Sequence, residues 1–243
     1  GYDYFGEPIP YKWPCTSSHF GLMDLCGFPK DLYYYYKSWW SDEPVLHLFP
    51  HWTWPGREGE EIDVWCYTNH EEVELFVNGA SAGRLRVARN SHAEWKVKYA
   101  PGAIEVRAYR GGKQVDSKRI ETAGAATRLV LTPERTYLDA DGQDVVQVSV
   151  AVVDEAGRLA PRAGDLIHFD VSGAARLLGV GNGDPSSHEL NQVPQRRAFN
   201  GLAAVLVKAS RKAGVTTIVA RADGLTAATV DIPVSEAQSR ASV

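Results

Sequence analysis

Residues 73–79 read Val-Glu-Leu-Phe-Val-Asn-Gly. The apolar residues Val73, Leu75 and Val77 recur at every second position, which is the period of a strand with one buried face. Asn-Gly at the end of such a run favours a type I′ turn, because both central residues of that turn need positive φ. The stretch therefore predicts one arm and the turn of a β-hairpin.

The same alternation continues on both sides of this hairpin. Period-two runs occupy residues 62–66, 93–99 and 104–108. Pro101-Gly102 lies between the last two runs, and Gly111-Gly112 follows the last one, as turns between strands do. About six short strands in this region predict a small β-sandwich, which we place at residues 44–122. The segment His47–His51 contains Pro50 between its two histidines, so we expect packing or a first strand there and not a helical metal face.

A second series of strands follows a short uncharged linker at residues 122–127. Seven strands are predicted, at residues 128–131, 145–153, 166–171, 176–180, 203–208, 216–221 and 228–234. This number and spacing are typical of an immunoglobulin-like sandwich, at residues 127–235. The polar residues 236–243 are expected to be a frayed tail.

The first segment of the chain differs in composition, since 16 of the 25 aromatic residues lie within residues 1–54. Tyr2 to Phe5 is predicted to be a short strand. Leu32, Tyr35, Tyr36 and Trp39 recur at helical spacing, after a Pro29 that suits a first helical turn. A strand followed by a loop and a helix is the repeating unit of a (β/α)8 barrel.

A single βα unit buries too little apolar area to offset its loss of chain entropy. We therefore expect residues 1–42 to pack on a sandwich, to exchange with another chain or to be poorly ordered. The four consecutive tyrosines at residues 33–36 point around most of a helix, so they are expected to be packing residues and not a flat sugar platform.

Composition excludes several classes of function. A net charge of -4 among 243 residues gives no basic surface for nucleic acid, and no apolar run approaches the ~20 residues of a membrane span. Cys15, Cys26 and Cys66 form no CxxC cluster, so no zinc site or disulfide framework is predicted, although one bridge stays open. No cofactor motif is present. Met23 is the only methionine, and we expect the chain to be a piece of a longer protein.

Several motifs together resemble a known family. Residues 1–8 (Gly-Tyr-Asp-Tyr-Phe-Gly-Glu-Pro), Trp13-Pro14, residues 17–24 and residues 27–34 look like the last βα unit of the catalytic barrel of glycoside hydrolase family 2, in its β-galactosidase-like branch. Residues 74–79 with Gly83-Arg84 are similar to the sandwich that follows that barrel. Residues 179–185, Glu189 and residues 197–201 resemble a further C-terminal sandwich.

This resemblance implies that residues 1–43 are the C-terminal βα unit of a barrel and that the chain is the C-terminal part of a retaining hydrolase of terminal β-linked sugars. The two catalytic glutamates of the family then lie on earlier strands, so this chain alone is expected to be an inactive, structural or accessory part. Its expected partners are a carbohydrate, reached through the barrel, and the remainder of the polypeptide. The resemblance also implies a periplasmic or secreted location. A homo-oligomer stays open.

Six residues are candidates for the substrate wall, because barrel active sites form at the carboxyl ends of the strands. Tyr2, Asp3 and Glu7 lie at or just beyond that end of the presumed last strand, and the resemblance places Tyr2 beside the innermost sugar. Trp13, Ser18 and Phe20 follow in the next loop as further candidates. Aromatic planes suit the C–H faces of sugars, and carboxylates accept hydrogen bonds from hydroxyls. In the alternative interpretation, the two carboxylates brace the loop and the aromatic residues are barrel core.

Two other functions are weighed against this one. In the first, the sandwiches are a carbohydrate-binding module, with Trp65, Tyr67 and Phe76 lining an outward face. In the second, the chain is an adhesion array of immunoglobulin-like domains, which the aromatic segment disfavours.

The glycine-rich run Gly179-Val-Gly-Asn-Gly-Asp184 lacks the features of a phosphate loop. It is predicted to be a tight bend with positive φ, rather than a calcium site formed by Asn182, Asp184 and Glu189. Arg196 and Arg197 are expected to be solvated charges.

Overall fold

The computed structural model describes residues 1–7 and 10–236, which form two compact units. The first unit contains Phe28–Ala123 with two short N-terminal pieces, Gly1–Tyr2 and Phe20–Met23. The second contains Gly124 onward, together with Asp3–His19 and Asp24–Gly27. Residues of the predicted barrel segment are therefore divided between the two units. Of the predicted tail at residues 236–243, residues 237–243 lie outside the described residues.

The first unit is a two-sheet sandwich with one helix. Its elements are α1 (Asp31–Trp40), β1 (Leu46–Phe49), β2 (Glu61–Thr68), β3 (Glu72–Val77), β4 (Ala80–Arg86), β5 (Ala93–Lys98), β6 (Ala103–Arg110) and β7 (Lys113–Glu121). One sheet has the order β1-β2-β5 and the other β4-β3-β6-β7. Val64 and Cys66 on β2 and Val73 and Leu75 on β3 belong to the shared core, so alternate residues face inward as predicted.

The second unit is also a two-sheet sandwich. Its strands are β8 (Ala126–Pro133), β9 (Leu138–Asp139), β10 (Val145–Asp154), β11 (Leu166–Gly173), β12 (Ala175–Gly181), β13 (Gln195–Arg197), β14 (Leu202–Ala209), β15 (Gly214–Arg221) and β16 (Ala228–Ser235). The sheet orders are β12-β14-β10-β8 and β13-β11-β15-β16-β9. Val148, Val150, Val205 and Ile218 are fully buried between them. The prediction of a mainly β chain with two sandwiches is confirmed.

Helix α1 lies on the outer face of the sheet β1-β2-β5. The ring of Tyr34 stacks on His47 with centroids 3.8 Å apart, and Tyr35 meets Tyr67 edge to face. His47 Nε2 also lies 2.8 Å from Asp31 Oδ1 at the start of the helix. Tyr34 and Tyr35 are thus packing residues, and the segment containing His47 is the first strand of the sandwich. Pro29 lies outside the helix, one residue before its N-cap, Lys30.

The predicted strand at Tyr2 to Phe5 is not formed. Tyr2 makes a single parallel bridge to Met23, and Phe5 makes a single antiparallel bridge to Ser17. Two isolated bridges to different partners do not extend into a ladder, so the segment stays irregular.

Candidate functional site

The segment Asp3–His19 of the second unit, which we call the N-terminal loop, doubles back on itself. Gly6 N donates to Thr16 O at 2.9 Å, and Ser18 N donates to Tyr4 O at 3.0 Å. The buried Ser18 hydroxyl accepts a further hydrogen bond from Tyr4 N at 3.1 Å. These bonds bring the two ends of the loop together and fix their register.

The N-terminal loop rests on the connection between β12 and β13. Thr16 donates to Pro185 O from both its backbone N (2.8 Å) and its hydroxyl (3.0 Å). The ring of His188 donates from Nε2 to Pro14 O at 2.8 Å. The Nε2 atom carries the proton there, because a carbonyl oxygen only accepts. The same sandwich connection therefore holds the loop at two places.

A second piece of the N-terminal region, Asp24–Gly27, docks against the end of β12. Cys26 N donates to Asp24 Oδ1 at 2.8 Å, which closes a tight turn. A Cβ added at Gly181 would lie 2.8 Å from Cys26 Sγ, and one added at Gly183 would overlap the Asp24 carboxylate. The glycines are required because another segment approaches their backbone closely.

This observation corrects the prediction for the glycine-rich run. Gly179, Gly181 and Gly183 do not have positive φ, and the first two lie within β12. The run is the end of a strand against which the Cys26 and Asp24 side chains pack, not a tight bend.

The prediction that Arg196 is solvated is wrong, because only 2% of the residue is exposed. Its Nη1 donates to Glu189 O and Asn191 Oδ1, and its Nη2 donates to Asn182 Oδ1 at 2.9 Å. Its Nε lies 3.7 Å from Glu189 Oε2. A buried guanidinium with these partners organises the connection that carries the N-terminal loop. Arg197 is exposed, as predicted.

The sequence-predicted site residues of the second unit differ in accessibility. Asp3 is 6% exposed and Ser18 is fully buried, whereas 81% of Trp13 is exposed. Glu7 accepts a hydrogen bond from the Tyr4 hydroxyl, and this bond and the carboxylate charge raise the pKa of Tyr4. Glu7 thus braces the loop, and Trp13 is the residue of this group that is most open to a ligand.

Tyr2 and Phe20 belong to the first unit. Their exposed fractions are 63% and 59%. Both Leu22 N and Met23 N approach Gly1 O, at 2.7 and 3.2 Å, so the backbone beside Tyr2 is paired. Both side chains are therefore open to solvent in the first unit.

A cavity of about 330 Å³ opens beside the N-terminal loop in the second unit. Its wall includes Phe5, Leu25 and Cys26 from the N-terminal region and Gln147 and Arg196 from the sandwich. Burial, reinforced by the neighbouring Asp24 carboxylate, raises the pKa of the Cys26 thiol to about 12. This thiol is therefore a poor nucleophile at neutral pH.

The outward face proposed for sugar binding does not exist as one surface. Trp65 and Tyr67 lie on β2 in the sheet β1-β2-β5, whereas Phe76 lies on β3 in the other sheet. Tyr67 is buried beneath Tyr35 of the helix, and Arg107 stacks on Phe76. The binding-module alternative loses its predicted platform.

All three cysteines are free, and burial raises the pKa of the Cys66 thiol. Across residues 1–7 and 10–236, no group of three or more His, Cys, Asp or Glu side chains could hold a metal ion. The same described residues include no helix with the length and apolar character of a membrane span.

The residues that sequence reasoning missed are those that join distant parts of the chain. Pro185 and His188 hold the loop at Thr16 and Pro14, and the separations in sequence are 169 and 174 residues. Neither the period of the apolar residues nor the spacing of neighbouring motifs indicates a contact between residues so far apart in the sequence. The closely spaced glycines at residues 179–183 are a local sign that another segment packs close to this backbone, although their pattern alone predicts a bend.

Comparison with known families gives an independent description. Residues 129–231 match the model "Glycoside hydrolase family 2 C-terminal domain 5". Residues 59–116 match a domain of unknown function, DUF4982. The matches fall within the second and first sandwich, respectively.

Relatives of the chain are similar over almost its whole length. It is 48% identical to "Beta-galactosidase BoGH2A" of Bacteroides ovatus over 97% of this chain and 28% of that protein. It is 29% identical to a "Beta-glucuronidase" of Formosa agariphila over 84% of this chain and 21% of that protein. The crystal structure of a β-glycosidase from Bacteroides vulgatus superposes with a TM-score of 0.91 at 36% identity, over 96% of this chain and 30% of that one.

The chain thus spans less than a third of each of these relatives. The resemblance carried by the N-terminal motifs and the two sandwiches is confirmed by the family model and by these relatives. The chain belongs to glycoside hydrolase family 2, and it corresponds to the C-terminal region of that family's enzymes.

Proposed function

We propose that this chain is the C-terminal region of a retaining glycosidase that removes terminal β-linked sugars, with galactose the leading candidate. The observation that carries the proposal is the 48% identity to "Beta-galactosidase BoGH2A" across 97% of the chain. The relative named a β-glucuronidase is less similar, so a glucuronide is the second candidate.

Retaining hydrolysis needs two carboxyl groups about 5–5.5 Å apart, one as acid/base and one as nucleophile. In our proposal, both come from barrel strands outside residues 1–243. The buried Asp3 and the Tyr4-bonded Glu7 are assigned no part in the bond cleavage. The chain's own contribution is then structural: it forms part of the wall and holds it in place.

The sandwich of the second unit has a defined part in this function. Its β12–β13 connection holds the N-terminal loop through Pro185 and His188, and the end of β12 receives the Asp24–Gly27 turn. We propose that this scaffold keeps Asp3 and Trp13 at the substrate side of the barrel, while the buried Ser18 fixes the loop. Tyr2 and Phe20, which are exposed in the first unit, are further candidates for contact with the sugar.

The test uses the longer polypeptide that contains this chain and a barrel, which we call the parent protein. It is assayed on p-nitrophenyl β-galactoside and p-nitrophenyl β-glucuronide. We expect faster turnover of the galactoside. Faster turnover of the glucuronide would reverse the order of the two sugars, and hydrolysis of neither would overturn the proposal.

A variant pair tests the proposed wall. Tyr2→Ala in the parent protein should raise KM for the galactoside, because an aromatic face beside the sugar is lost. Tyr137→Ala is the matched control, since Tyr137 is also an exposed tyrosine (50%) but lies between β8 and β9, outside the N-terminal region and the connection that holds it. Equal kinetics for both variants would remove Tyr2 from the wall.

A further inference from the structure

The cavity of about 330 Å³ in the second unit has a wall of two chemical kinds. Its apolar part contains the ring of Phe5 and several aliphatic side chains, among them Leu25, Leu178, Val180 and Leu206. Its polar part contains four amide side chains, those of Gln147, Asn182, Asn191 and Gln192. The volume lies at the small end of the range for ligand sites. The cavity therefore suits a small ligand that has both apolar faces and polar groups.

The charge at this cavity is balanced. Arg196 is the only charged side chain among the described residues that line it. The Glu189 carboxylate compensates the guanidinium, since Glu189 Oε2 lies 3.7 Å from Arg196 Nε. Burial, and then the Asp24 carboxylate, raise the pKa of the Cys26 thiol at the wall, so this thiol is uncharged at neutral pH and a second carboxylate lies nearby. An anion would meet the carboxylates and a cation would meet the guanidinium, so electrostatics favour a neutral ligand.

One donor of the wall has no acceptor. Arg196 donates from its two Nη atoms to Glu189 O and to two amide oxygens. Its Nε is buried and makes no hydrogen bond, because 3.7 Å to Glu189 Oε2 is too long for one. A buried donor without an acceptor is unfavourable, and an oxygen of a ligand in the cavity would remove this cost.

The groups of the wall match the surface of a sugar ring. An amide side chain both donates and accepts hydrogen bonds, as a hydroxyl group does. Gln147 Nε2 donates to Cys26 O at 2.8 Å, which fixes the orientation of that amide. The ring of Phe5 offers a flat apolar face to C–H groups. A neutral sugar carries hydroxyl groups around its rim and C–H groups on its faces, so it satisfies both parts of the wall.

We propose that this cavity binds a neutral monosaccharide, with Phe5 against a C–H face of the ring and with Arg196 Nε and the Gln192 amide bonded to its oxygens. The second sandwich then has a binding role in addition to its role as a scaffold. This inference goes beyond the proposed function. It depends neither on where the catalytic centre lies nor on the reaction that the parent protein catalyses.

The test is an NMR titration of the 243-residue chain, labelled at the methyl groups of leucine and valine, with galactose. The methyl signals of Leu178, Val180 and Leu206 should shift with a Kd in the millimolar range, which is usual for a ligand of this size. Those of Val73 and Leu75, in the core of the first sandwich, should not shift. Absence of shifts at the cavity methyls far above millimolar galactose would overturn the proposal.

A charged analogue tests the electrostatic argument. Galacturonate carries a carboxylate where galactose carries a hydroxymethyl group. Its Kd at the same methyls should be about three- to fivefold higher, the effect of one like-charge contact in a water-like environment. A lower Kd for galacturonate than for galactose would overturn the assignment of a neutral ligand.

Two exposed residues of the wall are replaced, because Arg196 itself holds the connection together. Phe5→Ala should raise the Kd for galactose about three- to tenfold, with Tyr137→Ala as the control. Gln192→Ala should raise it about two- to tenfold, with Gln195→Ala as the control, since Gln195 is also exposed but does not line the cavity. A Kd equal to that of the unmodified chain in both Phe5→Ala and Gln192→Ala would overturn the proposal.

The same titration on the parent protein shows whether the cavity is open there. Shifts of the same cavity methyls support the proposal. Shifts in the 243-residue chain but not in the parent protein would mean that the barrel fills the cavity, and would overturn it. Failure of the proposed function gives a different result, since a parent protein without hydrolytic activity would still show these shifts.

Discussion

Replacing Gly183 by Ala tests whether close approach holds the N-terminal region on the sandwich. The new Cβ would overlap the Asp24 carboxylate, which accepts a hydrogen bond from Cys26 N at 2.8 Å. A hydrogen bond to a charged group contributes about 1.5–3 kcal/mol, and overpacking of a tight contact costs about 1–3 kcal/mol. We expect a local cost of about 2 kcal/mol, which raises the population of the undocked turn about 30-fold.

Hydrogen exchange followed by mass spectrometry measures this population. The amide of Cys26 should exchange faster in the variant by a factor of that order, because the new Cβ displaces the carboxylate that accepts its hydrogen bond, and the amide of Thr16 should follow because its acceptor, Pro185 O, lies two residues from Gly183. Amides within β10 and β14 should keep their protection. Gly164→Ala is the control, since its Cβ would lie 3.8 Å from the nearest atom, an ordinary contact. Equal exchange of Cys26 and Thr16 in the two variants would refute the docking argument.

Three further predictions concern stability and reactivity. Burial raises the pKa of Asp154, but hydrogen bonds from Gly124 N (2.8 Å) and other donors outweigh burial, and the pKa is lowered. The stability that this carboxylate contributes is therefore present above the unfolded pKa of about 3.9 and is lost as pH falls through the lower folded pKa. Urea midpoints at pH 7 and pH 3 should therefore differ more for the native chain than for Asp154→Asn, and equal differences would contradict this. Gly79→Ala should lower the free energy of unfolding of the first sandwich by about 1–2 kcal/mol, because Gly79 has φ 86° and a residue with a Cβ is strained there. An unchanged urea midpoint would contradict this role of Gly79 in the turn. Burial raises the pKa of the Cys26 and Cys66 thiols, so iodoacetamide at pH 8 should label neither in the folded chain and both in urea. Mass spectrometry measures the labelling, and equal rates with and without urea would show that neither thiol is protected.

Local patterns were sufficient to predict most strands. Asn78 and Gly79 both have positive φ, as the hairpin signal requires, and β3 and β4 pair on either side of them. The helix at α1 also follows from spacing alone. These features depend on residues within a few positions of one another, where periodicity and turn chemistry act.

The missed elements have little local signal. Strand β9 has two residues and β13 has three, too few to show a period. Arg196 at the centre of β13 is buried because Asn182, Asn191 and Glu189 surround it, and only tertiary structure brings those oxygens together.

The candidate site was predicted in part. The aromatic residues and the two carboxylates could be proposed from residue type and family resemblance. The difference in exposure between Asp3 and Trp13 could not be predicted, because it depends on which side of the N-terminal loop meets the sandwich. The same long-range packing gives His188 and Gly183 roles that a single sequence does not reveal.

We propose that this chain supplies substrate-wall residues and their scaffold but not the two catalytic carboxyl groups. The most direct measurement is a parallel assay of the 243-residue chain and the parent protein on p-nitrophenyl β-galactoside at equal molar concentration. The account predicts turnover by the parent protein and none by the isolated chain. Turnover by the isolated chain at a comparable rate would contradict it, because the reaction would then proceed with carboxyl groups of this chain.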